Sequence, residues 1–462
     1  MNTRSRLESR PVASITRWML GGALAALVFV PSSAEAQSAG IATKVAAGGA
    51  RIAEPADAGR EAELEREARL ETIIRIALAR NPDLAEAGAR ARALRERAPA
   101  AGRLPDPEFK YELWGGPLRR PYALDEAQMH MFGLRQMFPA PGSLQAESRA
   151  LSELMLAAEQ MQRARALDVI ARVHRAYAEY YRADREYHLY REHAAIAEQI
   201  VELLRAMYRA GRGTQQDVLR ASVEVGRLQA SLAMIERQRR SAHALLNTLM
   251  ARRADAPLGP ATTLSPNDAK VRIRELERQA MSRPEVAAAE HTARSRESEV
   301  EAARASGRWP SFMVGLDYQY MPTMHDPHGY GVMFSMSVPW LNPRYGEQVR
   351  AAEATLEAER SALSSIRNAA RYELYDAVAR AEAARGSLEI IDRDVLPRAK
   401  QSFEAAQAAY RGGQGDSLGL LDALRSLLDI RIERERALAE LAAALADVER
   451  AGGRRGFQGE PQ

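Results

Sequence analysis

The 462-residue chain contains no cysteine. That alone excludes disulfides, thiolate metal sites and lipid attachment through an N-terminal cysteine. After Val30 no stretch approaches the roughly 18 consecutive apolar residues that a membrane helix requires, so no helix of the mature chain is expected to cross a bilayer. No basic surplus is available to meet a nucleic acid. The formal net charge is +4, acids and arginines are interspersed, and part of the excess belongs to the leader, where Arg4, Arg6, Arg10 and Arg17 outnumber Glu8 and Glu35. Hydrolase motifs, phosphate-cradling glycine loops and nucleotide fingerprints are also missing, so neither an enzymatic activity nor a cofactor is expected.

The most informative absence is local. Between Ser143 and Ala210 there is neither Gly nor Pro, while Leu151, Leu154, Met155, Ala158, Ile170, Val173, Tyr177 and Tyr180 recur at helical spacing. Such a helix would reach about 100 Å at 1.5 Å per residue. A globular core cannot cover that length, so the rod must lie against others of similar reach. A second long pattern runs from Glu347 to Arg411, interrupted by Gly386 and Pro397, where a kink is expected.

In chain order, the arginines are followed by an apolar run, Trp18 to Val30, and by Ala34-Glu35-Ala36 before Gln37, which reads as a secretory signal peptide over residues 1–36. Residues 37–60 are Ala/Gly-rich and read as a flexible lead-in. A helical pattern from Glu61 to Ala98, broken at Asn81-Pro82, opens a first unit over residues 61–254. Two amphipathic strands are predicted next, Phe109–Trp114 and His130–Phe138, and then the long helix. Gly211-Arg212-Gly213 closes that helix, and Thr214 can cap the following one, Gln215 to about Arg252. A Pro/Gly/Asp-rich linker, residues 255–269, precedes a second unit, 270–451, and a polar tail, 452–462.

The second unit repeats the first. Arg283-Pro284 echoes Asn81-Pro82, Gly307-Arg308-Trp309-Pro310 echoes Gly102-Arg103-Leu104-Pro105, Val338-Pro339 echoes Phe138-Pro139, and Tyr410-Arg411-Gly412-Gly413-Gln414-Gly415 echoes the first glycine hairpin. Its strands are predicted at Phe312–Tyr320 and Val332–Val338, joined by a loop from Pro322 to Gly329. Four strands of membrane-crossing length cannot close a barrel, and unpaired edges in lipid cost several kcal/mol per group. Copies must therefore share one barrel: eight strands from a dimer would be filled by side chains, and twelve from a trimer would leave room for water. The expected fold is mainly α, with duplicated helical hairpins forming an α-barrel and four strands per chain joining a shared β-barrel.

These features resemble the outer-membrane efflux protein family typified by TolC: duplicated halves, strand pairs between long helices, and Tyr-x-x-Gly hairpin tips. Gly-Arg-Gly-Thr-Gln-Gln-Asp-Val-Leu at 211–219 and Leu-Leu-Asp-Ala at 420–423 are similar to the family's tips. Leu-Pro-Asp-Pro at 104–107 and Phe-Pro-Ala-Pro-Gly at 138–142 look most like its heavy-metal branch. The resemblance implies a homotrimeric, passive exit duct in the outer membrane with a long periplasmic portion. Its tips, Gly211, Arg212, Gly213 and Thr214 with Gly412, Gly413, Gln414 and Gly415, would meet a periplasmic membrane-fusion adaptor and, through it, an inner-membrane pump of the proton-driven RND class. It also implies a tip gate of Asp217 facing Tyr410, with Asp422 in an acidic ring. Gly415 and Gly419 depart from this pattern, standing where some members carry a bridging arginine and a further ring aspartate.

Sixteen methionines invite a soft-metal reading, but methionine at strand spacing reads first as packing or lipid contact. His325 and His328, beside Met321 and Met324, are weak metal candidates, and no resident metal is expected. Two hypotheses remain: a transport duct, for heavy-metal cations or as a type I secretion or drug-efflux channel of the same fold, and a pore-less periplasmic coiled-coil scaffold. Only the duct accounts for four amphipathic strands at two repeated positions.

Overall fold

The computed structural model describes residues 55–116, 119–120, 123–264, 273–322 and 324–453. The expected signal peptide, most of the lead-in, part of the linker and most of the polar tail lie outside the described residues. The chain divides into two units, Met1–Ala62 and Glu63–Gln462, and the sheet and the long helices belong to the second.

Helix α1, Pro55–Arg66, starts before the expected Glu61, with proline in the first turn, where a missing N–H costs nothing. The helical pattern breaks at Asn81 as expected and once more, between Arg66 and Leu70. At Ala68 the backbone bridges Ala261, its N–H donating to the Pro260 carbonyl at 3.0 Å. Helix α2, Leu70–Arg80, then gives way to α3, Pro82–Ala101, at Asn81, whose side-chain oxygen accepts from the Asp83 N–H at 3.0 Å. Two strands follow, β1 (Glu108–Trp114) and β2 (Met129–Phe138), and then α4, Ser143–Arg209, unbroken for 67 residues. Helix α5, Gln215–Leu249, completes the first hairpin. The second repeat contributes α6 (Ile273–Met281), α7 (Pro284–Arg308), β3 (Phe312–Tyr320), β4 (His328–Met336), α8 (Arg344–Ile390), α9 (Leu396–Arg411) and α10 (Ser417–Ala451).

Helix α4 is the central rod, packed by α2, α3, α5, α7 and α10. Its buried alanines Ala150, Ala157, Ala164, Ala171 and Ala178 recur at heptad spacing, so small side chains keep one seam against its neighbours over several turns. The duplication is visible in the cores. Ile73, Ala77, Val173, Ala176, Tyr177, Ala242 and Leu246 gather in one cluster. Leu276, Ala280, Leu374, Ala377, Val378, Ala444 and Val448 gather in another, displaced by about 200 residues. A third cluster, holding Ile200, Leu204, Ala221, Leu228, Tyr410, Leu420, Leu424 and Leu428, joins the two glycine-tipped hairpins. Gly386 passes through α8 without interruption. The irregularity is a single π turn, Ile391–Val395, immediately before Leu396-Pro397, where the wider turn accommodates the N–H that proline lacks.

The sheet is antiparallel throughout, in the order β1-β2-β3-β4. Strands β2 and β3 join the two repeats, with Leu134 opposite Leu316 and Gly133 opposite Asp317. Strand β4 corrects the sequence expectation. It begins at His328 rather than Val332 and stops at Met336 rather than Val338. Pairing with β3 decides both ends, since His328 stands opposite Tyr320 and Met336 opposite Phe312. His328 and Gly329 are therefore strand residues, and the connection shrinks to a turn in which the Met321 N–H donates to the Pro327 carbonyl at 2.7 Å.

Candidate functional site

Two regions carry residues that packing alone does not explain: the paired hairpin tips and the four-stranded wall.

At the first tip Gly211 takes φ +72°, which lets the chain reverse so that the Arg212 N–H donates back to the Met207 carbonyl at 2.9 Å. The second tip repeats the turn: Gly413 has φ +73° and the Gln414 N–H donates to the Ala409 carbonyl at 2.9 Å. At Gly415 the turn is tight: a Cβ there would lie 3.0 Å from the Tyr410 nitrogen, so a side chain would require the backbone beside it to shift slightly. Each returning helix is capped by its own side chain. Thr214 and Asp217 form a reciprocal box, the Asp217 N–H donating to Thr214 Oγ1 at 3.2 Å and the Thr214 N–H to Asp217 Oδ2 at 3.1 Å. At the second tip Asp416 plays the Thr214 role, accepting from the Gly419 N–H at 2.9 Å.

The tips are tied to one another. The Ser417 hydroxyl donates to Asp217 Oδ1, joining α10 to α5 across 200 residues of sequence. Farther along the same pair of helices, Arg425 holds Glu224 with both ends of its fork, Nη2 at 2.5 Å and Nε at 3.4 Å. The Ser417 and Thr214 hydroxyls hold the Asp217 carboxyl below the usual aspartate range. Tyr410 is buried in the inter-hairpin core, and its phenol is pushed up by burial and then by the nearby Asp217 charge. Asp422 is exposed on α10. Ser417 was not legible as a site residue. No local motif marks it, and its partner is set only when the two hairpins lie side by side.

The wall has two chemically distinct faces. One carries Phe109, Tyr111, Phe132, Leu134, Val314, Leu316, Tyr318, Tyr330, Val332 and Phe334, all exposed, with Leu316 at 60% and Val332 at 71%. The other carries Lys110, Glu112, Arg135, Asp317, Gln319 and Ser335 among glycines and methionines. On that face Lys110 pairs with Glu112, and Arg135 lies 3.9 Å from Asp317. The Asp317 carboxylate lies over a glycine: a Cβ on Gly133 would fall 2.3 Å from Oδ1 and force the carboxylate to move. Among the described residues no strand lies beside the outer edges of β1 and β4. In the helical region Ala351 and Ala354 on α8 are likewise exposed among the described residues.

The histidine candidates do not converge. His328 sits on the apolar face, hydrogen-bonded through Nδ1 to the Tyr318 hydroxyl at 2.6 Å, and His325 is exposed in the turn. His130 makes the matching contact with Tyr111 at 3.0 Å. Among the described residues no group of three or more histidine or acidic side chains could hold a metal ion. Nor is any described helix long and apolar enough to cross a membrane.

Comparison with known proteins agrees with this geometry. The model of the family described as outer membrane efflux protein matches residues 73–252 and again 276–454. The outer membrane protein OprJ of Pseudomonas aeruginosa is 25% identical over 352 residues, covering 70% of this chain and 68% of that protein. Among solved structures, the outer-membrane channel OprN superposes with a TM-score of 0.73 at 21% identity, covering 83% of this chain and 89% of its own. The outer membrane protein VceC of Vibrio cholerae gives 0.70 at 20% identity, covering 84% and 97%. At these identities the structural matches establish the fold.

Proposed function

The chain belongs to the outer membrane efflux protein family, and from that premise we propose that three copies close one barrel as the passive exit duct of a tripartite efflux system. The observation that carries the proposal is the open sheet: a largely exposed apolar face and, among the described residues, no strand beside either outer edge. In lipid such edges cost several kcal/mol per group, so the wall must be completed by neighbours. Four strands from each of three chains give twelve, wide enough for an aqueous passage. The exposed Ala351 and Ala354 of α8 support the same assembly in the periplasm, as an α-barrel continuing the pore.

At the far end, the twin glycine turns at Gly211–Thr214 and Gly412–Gly415 form the contact for a periplasmic adaptor, which couples the duct to an inner-membrane pump of the RND class. Asp217, Tyr410 and Asp422 form the gate, with Ser417 the direct partner of Asp217. Three copies of Asp422 around a narrow axis would favour cations over anions. The Leu104–Pro107 and Phe138–Gly142 motifs support heavy-metal cations as the substrate class.

The test is outer-membrane extraction followed by electrophoresis with and without heating, and insertion into planar bilayers. A trimer-sized band that heating converts to monomer, together with ion conductance, is the expected result. Recovery in the soluble periplasmic fraction would overturn the proposal. Deletion in the native host is expected to raise cellular metal content without affecting protein secretion; the reverse would transfer the duct to a type I secretion system.

A further inference from the structure

Antiparallel pairing sorts the strand methionines onto one face. The register sets Met137 opposite Met313, and Met313 opposite Ser335, with Met333 two positions along β4 on the same side. Toward the other end of the strands, Met129 and Met131 share that side, and the methyl carbon of Met321 lies 3.5 Å from where a Cβ on Gly329 would stand. These methionines face the same way as Arg135 and Asp317, into the space the barrel encloses. On the opposite, lipid-facing side the strands carry methionine only at Met336.

This distribution is the reverse of what apolarity predicts. Lipid accepts a thioether readily, whereas the interior of a membrane barrel is normally polar. Flexible methionine also specifies packing poorly, so a merely structural wall gains little from it. Two of these methionines have glycine beside them, Met333 opposite Gly315 and Met321 next to Gly329. The Met333 methyl carbon lies 3.3 Å from where a Cβ on Gly315 would stand, so that side chain lies flat over bare backbone. Between the two methionine groups stands Asp317, nine-tenths buried, whose Oδ1 accepts no hydrogen bond among the described residues and meets Arg135 only at 3.9 Å.

We propose that the inner wall of the barrel is a thioether-lined passage for soft monovalent cations, Cu(I) or Ag(I). Met137, Met313 and Met333 form the group nearer the helices, and Met129, Met131 and Met321 the group nearer the exit. Thioether sulfur is a neutral, soft donor that selects such ions over hard cations. Few and weak ligands at each step suit a conduit, where an ion must enter and leave again. Asp317 supplies negative charge between the groups. The inference rests on the duct reading and refines its substrate class.

The test uses the purified full-length trimer with methionine methyls isotopically labelled, titrated with Ag(I) in chloride-free buffer. Bound silver is measured by equilibrium dialysis, methyl resonances are followed by NMR, and potassium conductance is recorded on the same preparation. Silver should shift the methyls of Met137, Met313 and Met333 first. The exposed helical Met161 and Met234 serve as internal controls. The variant Met137→Leu/Met313→Leu/Met333→Leu, which keeps side-chain volume, should lose at least tenfold in silver affinity while conducting potassium as before. Should the triple variant assemble poorly, Met333→Leu alone is expected to remove its own resonance from the silver response and weaken the shift at Met313. Equal shifts at Met161 and Met234, or silver binding unchanged in the variants, would overturn the passage while leaving the duct intact. A protein that takes no silver and carries no potassium would remove the duct reading itself.

Discussion

An arginine at Leu316 tests the assignment of the two sheet faces. Leu316 occupies the centre of β3, flanked across the sheet by Leu134 and Val332, and in the single chain its side chain is 60% exposed. If that face meets lipid, the substitution places a guanidinium near the bilayer midplane, at a cost of about 2–4 kcal/mol for each copy. A closed trimer carries three, so the assembled barrel loses about 6–12 kcal/mol, comparable with the whole stability of an ordinary domain. Ser335→Arg is the matched control: Ser335 is exposed on the opposite face, opposite Met313, where a charge would meet water. Outer-membrane fractions from cells producing each variant, run unheated on a denaturing gel, report assembly directly. Leu316→Arg should yield little or no heat-modifiable trimer and Ser335→Arg an amount near wild type. Normal assembly of Leu316→Arg, with failure of Ser335→Arg, would show that the inside and outside of the sheet are inverted.

Ser417→Ala and Asp217→Ala should each raise single-channel conductance in planar bilayers. The double variant should raise it no further than Asp217→Ala alone, because both remove one shared contact; additive increases would mean that the two residues act separately. The pH dependence follows from the lowered Asp217 carboxyl. Its folded value lies below 3.8, so its contribution is fully present above 3.8 and is lost as pH falls through that lower value. Conductance should therefore hold steady across neutral and mildly acidic pH and rise only in strong acid, and Asp217→Asn should abolish that rise; a wild-type transition near pH 6 would point to a different group. Gly133→Ala forces its Cβ into the Asp317 carboxylate and should cost about 1–3 kcal/mol, read as a lower yield of trimer. Pairing it with Asp317→Ser should restore that yield.

Local rules reached far into this fold where one side chain or one gap in composition decides the outcome. The want of Gly and Pro predicted α4 to within a residue, and Thr214 was legible as a cap because an N-cap needs only its own hydroxyl and the next turn. Strand β3 was legible because Phe312 to Tyr320 alternate without a break. Strand β4 was not, since Gly329 and Gly331 dilute the alternation and its limits are inherited from β3. The same holds at the tip: the motif singles out Asp217, whereas nothing local marks Ser417, the residue that hydrogen-bonds to it.

What the sequence settled by itself was periodicity, punctuation and repetition: long rods, short amphipathic strands, glycine turns, and two copies of each. Those properties are carried by neighbours in the chain, within reach of one turn or one pleat. Only the tertiary structure decided what meets what across about 200 residues. The Ser417–Asp217 tie, the Arg425–Glu224 fork, the carboxylate of Asp317 over Gly133, and the gathering of methionines on one face of the sheet all depend on how helices pack and strands register. A residue's period fixes which face it shares, whereas its partner is chosen by the backbone that folds against it.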